Sequence, residues 1–156
     1  MVEPLLAALE ATAPAQYLRG ARWGYAAVNA VHILGFGLLI GAIVPLDLRL
    51  LGVWRGVPRA AVARVLVPTA AAGLTIAVAA GLLLFAVRAR EYAGLEVVQA
   101  KLALVAIGGA AAIAIHLHGG WLLERAGSAR LAGHAALSLL CWLGALVCGR
   151  LIAFAG

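Results

Sequence analysis

The chain has 156 residues, 65% of them hydrophobic and only 12% charged, and its 12 Lys and Arg against 6 Asp and Glu give a formal charge of +6. With a mean hydropathy of +1.07, this composition excludes an ordinary soluble domain and fits an integral membrane protein. The basic excess reads as membrane-flank charge, because a nucleic-acid binder needs a clustered, soluble basic patch that this sequence lacks.

Residues 1–20 predict a short interfacial helix. Glu3-Pro4 reads as a helix start, Leu5, Leu6 and Leu9 share a face that Glu10 avoids, and Pro14 interrupts the pattern. With an acidic first charge, a short apolar run and no basic leader, the segment reads poorly as a signal peptide. Four apolar stretches follow, near residues 23–46, 64–87, 101–123 and 130–151. They are bracketed by Arg22 and Asp47, Arg64 and Arg88, Lys101 and Glu124, and Arg130 and Arg150. At about 1.5 Å per helical residue each is long enough to cross a hydrocarbon core. None alternates as a barrel strand does, so all are expected to be helices. The expected fold is all-α: one membrane domain over residues 1–156, a four-transmembrane-helix bundle preceded by the short interfacial helix.

Calling the N-terminal side of the first span side A and the opposite one side B, the basic residues divide six against six, so the positive-inside rule sets no orientation. Tyr17, Trp23, Tyr25 and Tyr92 on side A, with Trp54 and Trp121 on side B, fit aromatic belts. Gly37 and Gly41 form a small-xxx-small pair for a neighbouring helix. Polar residues gather on one line per helix: Tyr25, Asn29 and His32 on the first, Lys101, Gly108 and His116 on the third, His134, Ser138, Cys141 and Cys148 on the fourth. Such lines are expected to face a bundle interior. His118, about 200° around the helix from His116, is expected to point away. Cys141 and Cys148, about 10 Å apart on one helix, read as free thiols.

Histidines in a bundle suit three chemistries. Two imidazoles facing each other across a porphyrin make a b-type haem site. His32 and His116 are the first-choice ligands, with Gly35 and Gly108 making room and Asn29 and Lys101 nearby. Measured from Arg22 and Lys101, His32 lies about 15 Å inward and His116 about 22 Å inward. Alternatively, His116, His134, His118 and Asp47 near side B form a metal or proton site for a divalent or copper ion or a proton relay, His32 being a further candidate metal ligand. A third reading is an accessory subunit of a larger complex, packed through Gly37 and Gly41, cofactor-free or with a lone histidine on a chlorin pigment. The bland reading of His32 is an interhelical hydrogen bond, that of Lys101 a side chain snorkelling to side A, and that of Asp47 and Arg49 a helix-end salt bridge. No hydrolase or transferase site is visible, because there is no nucleophile with a nearby base in a loop and no phosphate-cradling glycine loop.

His32-Ile-Leu-Gly35, the Asp47-Leu-Arg-Leu-Leu-Gly52 segment, Ala80-Gly-Leu-Leu-Leu-Phe85, Lys101 followed by a helix ending in His116, and Gly149-Arg-Leu-Ile-Ala-Phe154 together resemble a family of small bacterial four-helix membrane proteins of unknown function. That family is in turn distantly similar to copper-resistance D and cytochrome b561-type bundles, in which helix histidines hold b haems. The resemblance covers nearly the whole chain and points to His32, Asp47, Arg49, Lys101 and His116. Asn29 stands where it implies an acidic residue, and His134 lies outside its pattern. It implies a multi-pass protein of the bacterial inner membrane, in contact with lipid. The leading functional expectation is an electron-transfer protein holding haem b, with a quinone or redox partner and a homodimer or larger complex as associated states.

Overall fold

The computed structural model describes residues 2–123 and 127–154; Glu124, the charge that closes the third apolar stretch, lies outside them. The described residues form seven α-helices in chain order: α1 (Val2–Glu10), α2 (Ala13–Gly20), α3 (Arg22–Leu50), α4 (Arg59–Val87), α5 (Ala89–Gly94), α6 (Glu96–Gly119) and α7 (Ser128–Leu151), followed by a 3-10 turn at Ile152–Phe154. Among the described residues there is no strand. Four of the helices, α3, α4, α6 and α7, are long and apolar enough to cross a membrane.

The long helices exceed the apolar stretches that announce them because charged residues lie inside them. α3 runs through Asp47 and Arg49, and α6 begins five residues before Lys101. At the N-terminus there are two helices where the sequence pattern predicts one. Pro14 sits at the start of α2, where its missing N–H is no loss, so it opens a second helix.

Packing between α3 and α4 depends on backbone contact. A Cβ placed on Gly35 would fall 2.6 Å from the Ala77 amide nitrogen, and one on Gly73 would fall 2.6 Å from the Leu39 nitrogen and 2.7 Å from the Gly35 oxygen. These glycines let two helices touch without intervening side chains. Gly37 and Gly41, expected to serve this purpose, have open space where a Cβ would stand, with nothing within 4 Å; they line an apolar surface groove with Ile33, Leu34, Leu66 and Thr69. The spacing of the pair is right, but it faces outward.

α3 packs along α4 and also on α7, and α7 packs along α6, so the order across the bundle is α4, α3, α7, α6. One apolar cluster at side B draws on all four: Leu46 and Leu50 of α3, Ala63 and Val67 of α4, Ile115 of α6, Leu131 and Ala135 of α7. A second, at mid-depth, is built around Leu39, Ala42, Ile43, Ala70 and the fully buried Trp142.

At side A the short helices form a cap. Glu10 accepts hydrogen bonds from the Arg90 backbone N–H at 2.9 Å and from its guanidinium at 2.9 and 3.1 Å. That backbone bond first, then the guanidinium, holds the Glu10 carboxyl below its usual range. Arg19 donates to the Val87 carbonyl at 2.6 Å, covering an orphan acceptor at the end of α4. Above the spans, burial and the neighbouring Tyr25 hydroxyl push the Tyr92 phenol of α5 up to about 12, so it remains a neutral hydrogen-bonding group.

Gly35→Ala should destabilise the detergent-solubilised protein by about 1–3 kcal/mol through overpacking, while Gly37→Ala should change it by less than about 0.5 kcal/mol. Thermal unfolding of the two variants beside wild type checks the contrast; equal effects would show that the α3–α4 contact does not depend on Gly35.

Candidate functional site

The DLRLLG segment divides its polar residues between two environments. Asp47 and Arg49 are two positions apart, about 200° around the helix, and therefore cannot share a face. Arg49 turns to the loop, donating to the Val57 carbonyl at 2.7 Å and the Arg55 carbonyl at 3.3 Å. Gly52 ends the helix with φ +104°, and bonds from the Gly52 and Val53 N–H groups back to the Arg49 and Leu48 carbonyls complete a Schellman motif. The expected Asp47–Arg49 salt bridge is therefore absent: the arginine braces the α3–α4 loop and the carboxyl faces the bundle.

Asp47 is 2% exposed. Ser138 of α7, 3% exposed, is the polar side chain beside it. Asp47 Oδ2 has no hydrogen-bond partner among the described residues, and no cation there pairs with it. A carboxyl in such a place is costly whichever protonation state it adopts. The surrounding side-B cluster fixes its level. Leu46 precedes Asp47, Ile115 precedes His116 and Ala135 follows His134, and all three apolar residues belong to that one cluster. The layer thus contains Asp47, Ser138, His134 and His116. His134 and His116 flank the α6–α7 seam, each adjacent in sequence to a residue of that cluster. His116 also lies against the Trp121 ring at 5.7 Å between centroids, and its Nδ1 is buried without a partner among the described residues. His118 is exposed on the opposite face.

His32 belongs to another layer. Its Nδ1 meets the Ala77 carbonyl of α4 at 2.7 Å, so that nitrogen donates. The ring occupies the space that the missing Cβ of Gly81 leaves, with Cε1 3.0 Å from that position. Lys101 of α6 extends its Nζ to 3.4 Å from the Cβ position of Gly149 on α7. Asn29, one turn toward side A, is exposed.

The structure does not bring His32 and His116 together. His116 stands at the level of Leu46, which shares the side-B cluster with Ile115, and His32 lies fourteen residues before Leu46 on α3, about 21 Å away. The smaller offset expected from sequence comes from treating Lys101 as the membrane boundary, when α6 starts at Glu96. Axial ligands of one porphyrin must stand at one depth. The glycines meant to make room for it are also filled: Gly35 by α4, and Gly108 by Cys141 and Trp142, the latter 3.2 Å from its Cβ position. A haem between His32 and His116 does not fit this fold.

Among the described residues no group of three or more His, Cys, Asp or Glu stands close enough to hold a metal ion. The side-B layer consists, among the described residues, of titratable and hydrogen-bonding side chains on three helices. Both cysteines are free, Cys141 buried and Cys148 partly so. Ser138 is visible in sequence only as part of a helical stripe; its placement opposite Asp47 depends on the α3–α7 contact. Trp142, whose indole Nε1 is also buried without a partner among the described residues, gives no signal beyond its size.

No protein-family model matches the chain, and no curated protein or solved structure shows significant similarity to it.

Asp47→Asn, which keeps the shape and removes the ionisable carboxyl, should be neutral or stabilising by up to about 2 kcal/mol, since it relieves the burial of an unpaired charge. Thermal unfolding in detergent measures this; a loss of more than about 2 kcal/mol would instead mean that Asp47 completes an essential buried pair.

Proposed function

We propose that this chain is a proton-handling protein of the bacterial plasma membrane, in which Asp47 takes up and releases protons that enter from side B by way of His134 and His116. The observation that supports this reading most is a carboxyl group 2% exposed, without a cationic partner among the described residues, in the same layer as two imidazoles and a hydroxyl. An unpaired intramembrane carboxyl is expensive and has no packing role that an apolar residue would not fill better. Imidazoles exchange protons near neutral pH, and a hydroxyl both donates and accepts, so neighbouring groups of these types can pass a proton inward. The mid-depth apolar cluster closes the way beyond Asp47, which favours gated transfer over an open channel. The proton is the transferred species, so no redox partner or bound metal is required by the reading.

Proteoliposomes loaded with a pH-sensitive dye and driven by a potassium diffusion potential test it. Wild type should carry protons faster than empty vesicles, and dicyclohexylcarbodiimide should block the flux with a single adduct on Asp47. Asp47→Asn should reduce the flux at least tenfold and take up no adduct, while His134→Ala should reduce it several-fold. Flux in Asp47→Asn equal to that of wild type, or wild-type flux no faster than in empty vesicles, would overturn the proposal.

A further inference from the structure

Pro45 lies within α3 and Pro68 within α4. A proline nitrogen carries no hydrogen, so the carbonyls four residues earlier, those of Gly41 and Arg64, lose their helical donors, and each proline ring crowds the same carbonyl. Beside Pro68 the Thr69 hydroxyl donates to the Val65 carbonyl at 2.8 Å, a back-bond that weakens and bends the same turn of α4.

The two weak turns stand at one depth. α3 and α4 run antiparallel, and their glycine contacts set the register: Gly35 meets Ala77 and Gly73 meets Leu39. Counting on from Leu39 and back from Gly73, Pro45 falls opposite Val67, one residue from Pro68 and about 1.5 Å from it in height. The apolar clusters agree, since Ile43 and Ala70 belong to the mid-depth one and Leu46 and Val67 to the one at side B. The proline level is the boundary between them.

The pieces on either side of this boundary are braced. Toward side A, α3 and α4 touch backbone to backbone. Toward side B, residues 46–67 form a tip that Arg49 ties together through the Val57 and Arg55 carbonyls, and Arg55 through the Gly52 carbonyl at 3.2 Å. The tip rests on α6 and α7 through apolar contacts with Ile115, Leu131 and Ala135, and no salt bridge joins them among the described residues. Two braced pieces with paired weak turns between them have the build of a hinge.

Asp47 belongs to the tip, two residues beyond Pro45. Of the groups at its level, Ser138 and His134 come from α7 and His116 from α6. α4 offers the apolar Ala63 and Val67, with Arg64 exposed and Arg59 one turn nearer the loop, and Arg49 turns to the Val57 carbonyl. None of these pairs a cation with the carboxyl, so an ionised Asp47 is stable only where water reaches it.

We propose that the level of Pro45 and Pro68 is a hinge, about which the braced α3–α4 tip swings away from α6 and α7 when Asp47 loses its proton and closes when Asp47 regains one. This rests on proton exchange at Asp47 and supplies its gate: the side-B cluster parts to admit water while the mid-depth cluster stays closed.

Double electron–electron resonance on the intact, lipid-reconstituted protein tests it, with nitroxides at the exposed sites Gly56→Cys in the tip and Leu117→Cys on α6, in a Cys141→Ala, Cys148→Ala background. A change in bend of about 20° over a lever of about 10 Å moves the tip by about 3–4 Å. The labelled protein should give the shorter distance in acid and lengthen by that amount in alkali, and Asp47→Asn should hold the short distance in both. Pro45→Ala combined with Pro68→Ala restores both helical N–H groups and leaves every side-B polar group in place. It too should stay short, while the infrared carboxylic-acid band of Asp47 still responds to pH. A distance that does not move with pH would overturn the hinge. If the infrared band responds there, proton exchange stands without the hinge; if it does not, both fall. Equal lengthening in the double proline variant or in Asp47→Asn would also overturn the proposal, because the prolines or the carboxyl would then not be its cause.

Discussion

Where Gly35 faces Ala77 and Gly73 faces Leu39, two helix backbones meet with no side chain between them, and much of the remaining geometry follows from that contact. It binds α3 and α4 into a long hairpin and sets α3 as the helix that also receives α7. Once α3 stands between α4 and α7, Asp47 on its inner face is brought to Ser138, and His32 on its other half is brought to the Ala77 carbonyl. In lipid, close backbone approach of this kind takes the place of the hydrophobic drive that assembles soluble bundles.

Each polar layer that results is incomplete in its own way. Near side B a carboxyl is enclosed among apolar side chains beside a hydroxyl and at the level of two imidazoles, an arrangement that contributes little to cohesion. Near side A His32 commits one ring nitrogen to the Ala77 carbonyl, while Lys101 reaches Gly149 with no hydrogen-bond or ion-pair partner among the described residues. The apolar mid-section around Leu39 and Trp142 separates the two. The chain therefore has two polar ends and a greasy waist, and neither end depends on a loop for its chemistry.

Composition alone makes the four spans legible, because no other fold tolerates so few charges. The ends are not legible, since Asp47, Arg49 and Lys101 look like boundaries when they are interior residues held by burial, a loop and a facing glycine. The glycine pair that looks like a packing motif faces outward, while Gly35 and Gly73 do that work from different helices; spacing reveals a stripe but not what lies opposite it. His116 pointing in and His118 pointing out follow from helical periodicity. The depth of His32 relative to His116 does not, because it depends on where α6 begins. The joining of Asp47 to Ser138 depends on which helices are neighbours, and a single sequence carries no record of that.

Whether Asp47 exchanges a proton while enclosed in the bundle is the central claim, and infrared difference spectroscopy of the membrane-reconstituted protein tests it most directly. Stepping the external pH should produce a carboxylic-acid C=O band, reversible and accompanied by a complementary carboxylate change, that is missing from Asp47→Asn and slowed in His134→Ala. A pH-difference spectrum identical in wild type and Asp47→Asn would contradict the account, because the buried carboxyl would then be a static part of the fold.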